Sequence, residues 1–564
     1  MAEPSPSRLE LGLVAALVGL HLLLCWVEAR HQAPTVDEFH LVPQAVTLRA
    51  SGDLELGLKT PPFLKRWVGL ALDPDDVTLV DPRVNGRPAM DGWEPWIFAT
   101  RFMQANGTRF LELFRSARAM MLPLAALLAL AAWAWARRLG GPRAGLVALV
   151  LVALAPETIA FGSLVSLDLA VTALLVAALF LYREQVARGG FACASAAGLL
   201  LGLALSVKTA VVLVAPVFLL GLLPLGAPRG LGRRLAELAA CVLAALVALH
   251  ATFGFHEPFP RVAELSAVSS GFARLKATLP GALPLPLPGA WLRGFDLQGA
   301  DVEIGDIPSY LDGQWSSTGW KRYYLLAWLY KTPLALLGFV GVVALGAVLA
   351  WRREGARVAR GLPGWADAVL LLGPLLLWGG VFALTGKLNI GVRYVLPCYV
   401  LGFVALGVLA ARLRARSWAG LAGAALLVLF ALSSLAATPH HLGYFNRLAG
   451  GRAGGWKHLV DSNVDWGQEL GHLARHVREQ GLGRIGLGYF GHVDPGLYGL
   501  DYFVPAGKPA PGWYALSVNF LAGYEYLVYD HGQLVPAFAD RFAAFREMEP
   551  VGTIGGALMV YRVE

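Results

Sequence analysis

Asp37 and Glu38 stand side by side in "APTVDEFHLVPQAVTLRA", a few residues after the first long apolar run. A carboxylate held at a membrane surface is able to take a proton from a hydroxyl, the task of a general base. The same residues have a structural reading. Thr35 and Glu38 have the spacing of a capping box, and acids are favourable in the first turn of a helix. Asp168 lies in "APETIAFGSLVSLDLAVTALLV", a turn or two inside an apolar segment at about 1.5 Å rise per residue. An ionisable group there is costly, and marks either function or a hydrogen bond to a neighbouring helix. Three cations complete the set: Lys208 in "LALSVKTAVVL", and Lys387 and Arg393 in "TGKLNIGVRYVLP". Arginine offers phosphate a planar fork and lysine a point charge. The alternative is that these side chains only snorkel to the interface. Arg393 has the stronger case, because it enters its apolar segment beside Tyr394. A carboxylate base facing cations suits transfer from a lipid-linked phosphate.

The elements that hold these residues are membrane spans. About eleven apolar segments are expected, at 9–28, 117–136, 143–158, 162–182, 191–207, 209–226, 235–254, 331–351, 366–385, 394–411 and 418–437. The joins at 159–161 and 208 are tight, so those pairs are expected as helical hairpins. An apolar share of 56 % with 15 % charged residues is wrong for a soluble chain of 564 residues. Arginines crowd alternate connections: Arg137, Arg138, Arg143; Arg183, Arg188; Arg229, Arg233, Arg234; Arg352, Arg353, Arg357, Arg360; Arg412, Arg414, Arg416. The positive-inside rule makes these cytoplasmic. The N-terminus is then cytoplasmic, the C-terminus extracytoplasmic, and Lys208, Lys387 and Arg393 fall on the outer side. The net charge of +8 is more than covered by those fifteen arginines. It reports topology and anionic lipid, and gives no support for nucleic-acid binding. Cys25, Cys193, Cys241 and Cys398 all lie in apolar segments, so no disulfide framework is expected.

Three hydrophilic segments face outward: 29–116, 255–330 and the tail, 438–564. The expected architecture is an α-helical polytopic domain over 1–437 followed by a small extracytoplasmic α/β domain over 438–564. In the tail the pattern predicts a helix at 466–480, strands near 484–490, 501–504 and 512–518, a helix near 538–547, and a closing hairpin around Gly555-Gly556. "LVDSNVDWGQEL" departs from a calcium loop, with Trp466 in place of its glycine and His472 in place of its bidentate glutamate. Asp465 as helix N-cap, with Gln468 three residues on, is the simpler reading. There is no Walker loop, no zinc-type spacing and no nucleophile elbow.

The acidic pair after the first span, Pro61-Pro62, the Asp in an outer helix end, the Lys at a hairpin and "NIGVRYVLP" occur in one order and on one side. Together they resemble the GT-C-fold glycosyltransferases that use polyprenyl-phosphate sugars. That branch includes the protein O-mannosyltransferases and the aminoarabinose transferase of lipid A. The likeness is best over residues 1–210 and 291–470, where "WLRGFDLQG", "YYLLAWLYKTPLALL" and "HHLGYFNRLAGG" add to it. The resemblance implies Asp37 as the base that activates the acceptor, Glu38 orienting acceptor or metal, and Asp168 as the second acid. It places Lys208 and Arg393 near the carrier phosphate. The aminoarabinose branch has a lysine directly before its paired prolines; here Thr60 takes that place and Lys59 is one residue earlier. No cofactor is implied beyond a possible divalent cation. The implied partners are a polyprenyl-phosphate-linked sugar, a lipid, glycan or protein acceptor, and membrane lipid. The second outer loop is too short for the β-trefoil of protein mannosyltransferases. Two rivals differ in class. A transporter or flippase would place its charges near the midplane in paired repeats, and a non-catalytic envelope assembly factor would act through its tail.

Overall fold

The computed structural model describes residues 5–88, 92–226, 228–305, 308–354, 364–385 and 389–564. Lys387, Arg357 and Arg360 lie outside them. Among the described residues, eight helices are long and apolar enough to cross a membrane. The chain is a multi-pass integral membrane protein.

The first span is α1 (Arg8–His31). The hydrophilic segment after it is largely helical, with α2 (Val36–Ser51), α3 (Pro62–Gly69), α4 (Glu94–Asn106) and α5 (Thr108–Ala119). Two expected spans share α6 (Leu122–Leu154), which reverses at Gly141. The φ of 80° and ψ of −174° there suit only glycine, Pro142 follows, and Gly145 packs back on Trp133 and Arg137. The next join is longer than expected. A short α7 (Pro156–Gly162) and five further residues separate α6 from α8 (Leu167–Arg188).

The join at Lys208 is tight, as expected, and follows α9 (Phe191–Leu205). The expected span 209–226 is no regular helix. It alternates 3-10 and α turns over Thr209–Leu222. Pro216 removes one donor, and the Tyr182 hydroxyl enters the backbone by donating to the Phe218 carbonyl and accepting from Gly221 N–H. The remaining spans are α10 (Leu231–Thr252), then, after the connecting helices α11 (Ser270–Thr278), α12 (Gly289–Ile304) and α13 (Tyr323–Lys331), α14 (Leu334–Glu354), α15 (Trp365–Thr385), α16 (Leu396–Ala410) and α17 (Trp418–Leu435).

Arginines of two of the arginine-rich connections pair across the bundle. Arg137 bonds Glu10 in the first turn of α1, Arg183 bonds Asp367 in the first turn of α15, and Arg138 reaches Glu184 at 3.1 Å. All four cysteines are free thiols. The helix carrying Asp168, α8, is the most enclosed of the candidate spans, with 83 % of its apolar window buried.

The tail contains α18 (Leu470–Gln480) and the strands β1 (Ile485–Gly488), β2 (Tyr502–Phe503), β3 (Gly512–Ser517), β4 (Tyr526–Asp530), β5 (Gln533–Ala537), β6 (Gly552–Ile554) and β7 (Leu558–Val563). Five of them form a mixed sheet in the order β6-β7-β3-β1-β2, with β1 parallel to both neighbours. The closing hairpin forms as expected. The helix expected near 538–547 shrinks to a 3-10 turn at Ala543–Phe545, and a hairpin of β4 and β5 stands just before it. The stretch between last span and sheet is bound to the helices. Lys331 Nζ donates to the carbonyls of Leu442 and Asn463, and His441 bonds Glu28 of α1 at 2.6 Å. One continuous apolar core runs from α1 into the sheet.

Candidate active site

Asp37 sits in the first turn of α2, whose start is docked on the tail. Ala33 N–H and Val36 N–H donate to the carbonyls of Gln468 and Trp466. Arg393 lies in the 3-10 turn Val392–Val395 that leads into α16. That turn is pinned from the tail as well: Asn463 Oδ1 accepts from Val392 N–H, and Ser462 Oγ donates to the Ile390 carbonyl. The approach is close enough that a Cβ on Gly391 would overlap the Ser462 hydroxyl. The tail thus sets the positions of both residues.

Between them is an ion pair, Arg393 Nη1 to Asp37 Oδ2 at 2.6 Å. The same Nη1 lies 3.7 Å from Asp168 Oδ2, and Lys208 Nζ donates to Asp168 Oδ1 at 2.7 Å. Four residues separated by as many as 356 positions form an alternating chain of charge, Asp37–Arg393–Asp168–Lys208. Aromatic faces support the cations. Arg393 lies over Trp466 at 4.3 Å and Lys208 over Tyr394 at 4.0 Å. Tyr394 therefore contributes its ring face, and its carbonyl accepts from Trp378 Nε1. The Asp37 side chain keeps 25 % of its surface exposed while Asp168 keeps 4 %. The accessible carboxylate is therefore Asp37. Arg393 Nε is buried and has no hydrogen-bond partner.

Asp168 is nearer a helix end than the apolar run implied. Ser166 caps α8 by accepting from Asp168 N–H and Leu169 N–H, so Asp168 is in the first turn rather than a turn or two inside. The helix dipole favours an anion there, and the cost of burial is correspondingly lower.

Glu38 follows the structural one of its two readings. It accepts from Arg118 Nε and Nη2 at 2.8 and 2.6 Å, from Val165 N–H, and from Thr35 N–H. Arg118 in turn donates to the carbonyls of Ala29, Gln32 and Ala33 at the end of α1. Glu38 is 1 % exposed. Its oxygens are taken up in fixing the α1–α2 turn. Lys59 has a partner of its own. Its ammonium pairs with Asp301 at 2.7 Å, and its carbonyl accepts from Gln298, which also bonds Thr209 next to Lys208.

Two tail acids lie close by. Asp461 adopts left-handed backbone (φ 60°) and accepts from the Tyr524 hydroxyl at 3.0 Å. Burial pushes its carboxyl up, and Arg393 pulls it back down. Asp465 is raised to about 7 by burial, against hydrogen bonds from Ser517 and Gly467. It is no helix cap, since α18 starts only at Leu470; it anchors the turn through Gly467 N–H and Ser517 Oγ. Trp466, Arg118, Asn463 and Asp461 were not legible as site residues. The one signal was the polar run "DSNVDWGQ" following so many apolar segments.

No protein-family model matches the chain, and no curated protein does. Among solved structures it is similar to ArnT from Cupriavidus metallidurans bound to undecaprenyl phosphate. That likeness has 14 % identity, covers 97 % of each chain and has a TM-score of 0.46. It is also similar to the archaeal oligosaccharyltransferase AglB from Archaeoglobus fulgidus in complex with an inhibitory peptide and a dolichol-phosphate. There the identity is 12 %, the coverage 94 % of this chain and 74 % of that one, and the TM-score 0.43.

Proposed function

We propose that the chain is an inverting membrane glycosyltransferase of the GT-C kind, moving a sugar from a polyprenyl monophosphate to an acceptor hydroxyl on the extracytoplasmic side. The observation that carries this reading is Arg393. One nitrogen of its guanidinium orients Asp37, while its buried Nε stays without a partner. An unsatisfied charged donor in a buried site is costly, and a phosphate oxygen would satisfy it. Lys208 adds a second cation to the same cluster.

In the proposed reaction Asp37 accepts the acceptor's proton as its oxygen attacks the anomeric carbon from the face opposite the phosphate. The bond from anomeric carbon to phosphate oxygen breaks, and the electron pair leaves with the lipid phosphate. Arg393 and Lys208 offset the charge that grows there. A single displacement inverts the configuration. Asp168 holds the two cations at a fixed spacing. The position of these groups at helix ends disfavours a transporter, which would carry them near the midplane.

Purified protein in vesicles, given a labelled polyprenyl-phosphate sugar and an envelope lipid extract, is expected to release polyprenyl phosphate as sugar moves to acceptor. Movement of intact donor between leaflets without release would point to a flippase instead. The sidedness has its own check. Single-cysteine labels at Gly230 are expected to react only from the cytoplasm, and labels at Pro280 and Lys508 only from outside. Cytoplasmic reaction of Lys508→Cys would overturn the orientation.

A further inference from the structure

A second cluster stands where the last membrane helix meets the tail. His440 follows α17, Glu469 immediately precedes α18, and His472 is in the first turn of α18. We propose that His440, Glu469 and His472 bind one zinc ion, which fastens the tail to the end of the last span.

The geometry is that of converging ligands. His440 Nδ1 is 2.9 Å from Glu469 Oε1, and His472 Nδ1 is 3.0 Å from Glu469 Oε2. One ligand atom from each of the three residues fits within a mutual 4.8 Å. Ligand atoms around a tetrahedral zinc, with bonds of about 2.0–2.1 Å, lie about 3.3 Å apart. The two imidazole rings have centroids 4.6 Å apart and are tilted 52°, so both edges address the carboxylate.

The second observation is what these groups fail to do. His472 is nine-tenths buried, yet neither of its ring nitrogens has a hydrogen-bond partner. Glu469 is 1 % exposed, and its Oε2 also lacks one. Despite the 3.0 Å separation, that nitrogen and that oxygen do not point along a hydrogen bond. His472 Nε2 meets no polar partner and Nδ1 meets Oε2 only in that misaligned contact, and an ion coordinated by both residues removes the deficit. The nearby cation does not fill the gap, because Arg452 donates to the Ala437 carbonyl instead. Two imidazoles and one carboxylate are a zinc donor set, with water as fourth ligand. Both imidazoles would ligate as neutral rings and Glu469 as a carboxylate.

The site lies beside the proposed active site in sequence. Glu469 is three residues past Trp466, on which Arg393 rests. A zinc ion here would hold the segment that supports Arg393. The inference is independent of what that site transfers, because metal content is counted without any assay of transfer.

The test uses the full chain in detergent, loaded with zinc, passed through zinc-free gel filtration and analysed for metal. Wild type is expected to keep about one zinc per chain and to melt at a lower temperature after chelation. His440→Gln and His472→Gln are expected to bind zinc at least tenfold more weakly, and chelator should no longer shift their melting. His531→Gln, which alters an exposed histidine, should match wild type. Wild-type protein without zinc, or equal zinc in wild type and both site variants, would overturn the proposal. If a variant does not fold, the wild-type metal count and its chelator shift still decide.

Discussion

Asp37→Asn is expected to lower the rate of sugar transfer by about a thousandfold, within the range of 10²–10⁴ that general acid–base catalysis contributes. The amide is nearly the same size, and its oxygen still accepts from Arg393. The turn at the start of α2 is held by Glu38, Arg118 and the tail carbonyls, none of which involves the Asp37 side chain. Folding and membrane level should therefore be unchanged. What disappears is the basic oxygen. Donor affinity should stay level or rise, because a negative charge beside the proposed phosphate site has been removed. A fall in turnover with intact donor binding is the signature of a lost base. Transfer within threefold of wild type would remove Asp37 from that role. It would also favour the assembly-factor reading, for which the charge at this position is irrelevant.

Arg118→Ala is expected to act through folding. Arg118 is 2 % exposed and serves Glu38 and three backbone carbonyls at the end of α1. Its removal leaves the Glu38 carboxylate buried without its counter-charge. Breaking a buried pair in this way costs about 3–5 kcal/mol. The variant should show a large fall in membrane yield and in melting temperature, with residual transfer tracking the amount of folded protein. Glu38→Gln should be milder, since the amide oxygen still accepts from Arg118. A normal yield and melting temperature for Arg118→Ala would mean that the α1–α2 turn is held by something else. The contrast with Asp37→Asn separates two adjacent acids that sequence pattern alone treats as a pair.

Much of this organisation was legible in the sequence because the membrane restricts the options. Charges at the ends of apolar helices need partners, so an Asp at one helix end, a Lys at one hairpin and an Arg before another helix are drawn together. Arg393, within reach of both Asp37 and Asp168, is the outcome. Local competition was harder to read. The run from Pro156 to Leu179 is apolar enough to hide the break at which Ser166 starts a new helix. The apolar stretch 209–226 reads as a span, but Pro216 and the Tyr182 hydroxyl divide its backbone bonds. In the tail, "FADRFAAFREME" has helical spacing, whereas the turn at His531-Gly532, both at positive φ, nucleates a hairpin just before it. Glu38 carried a capping-box spacing and does accept from Thr35 N–H, yet its partner Arg118 is 80 positions away. No spacing rule finds that pair, nor the alignment of His440 with Glu469 and His472.

The most direct test of the central claim is the affinity of the purified protein for a polyprenyl monophosphate, in wild type, Lys208→Ala and Arg393→Lys. A planar fork and a point charge are not interchangeable on a phosphate, and lysine has no counterpart to the buried Nε. The account predicts that wild type binds and that both variants, compared at equal amounts of folded protein, bind at least tenfold more weakly. Wild-type affinity in both variants would contradict it, leaving Arg393 and Lys208 as partners of Asp37 and Asp168 with no phosphate to hold.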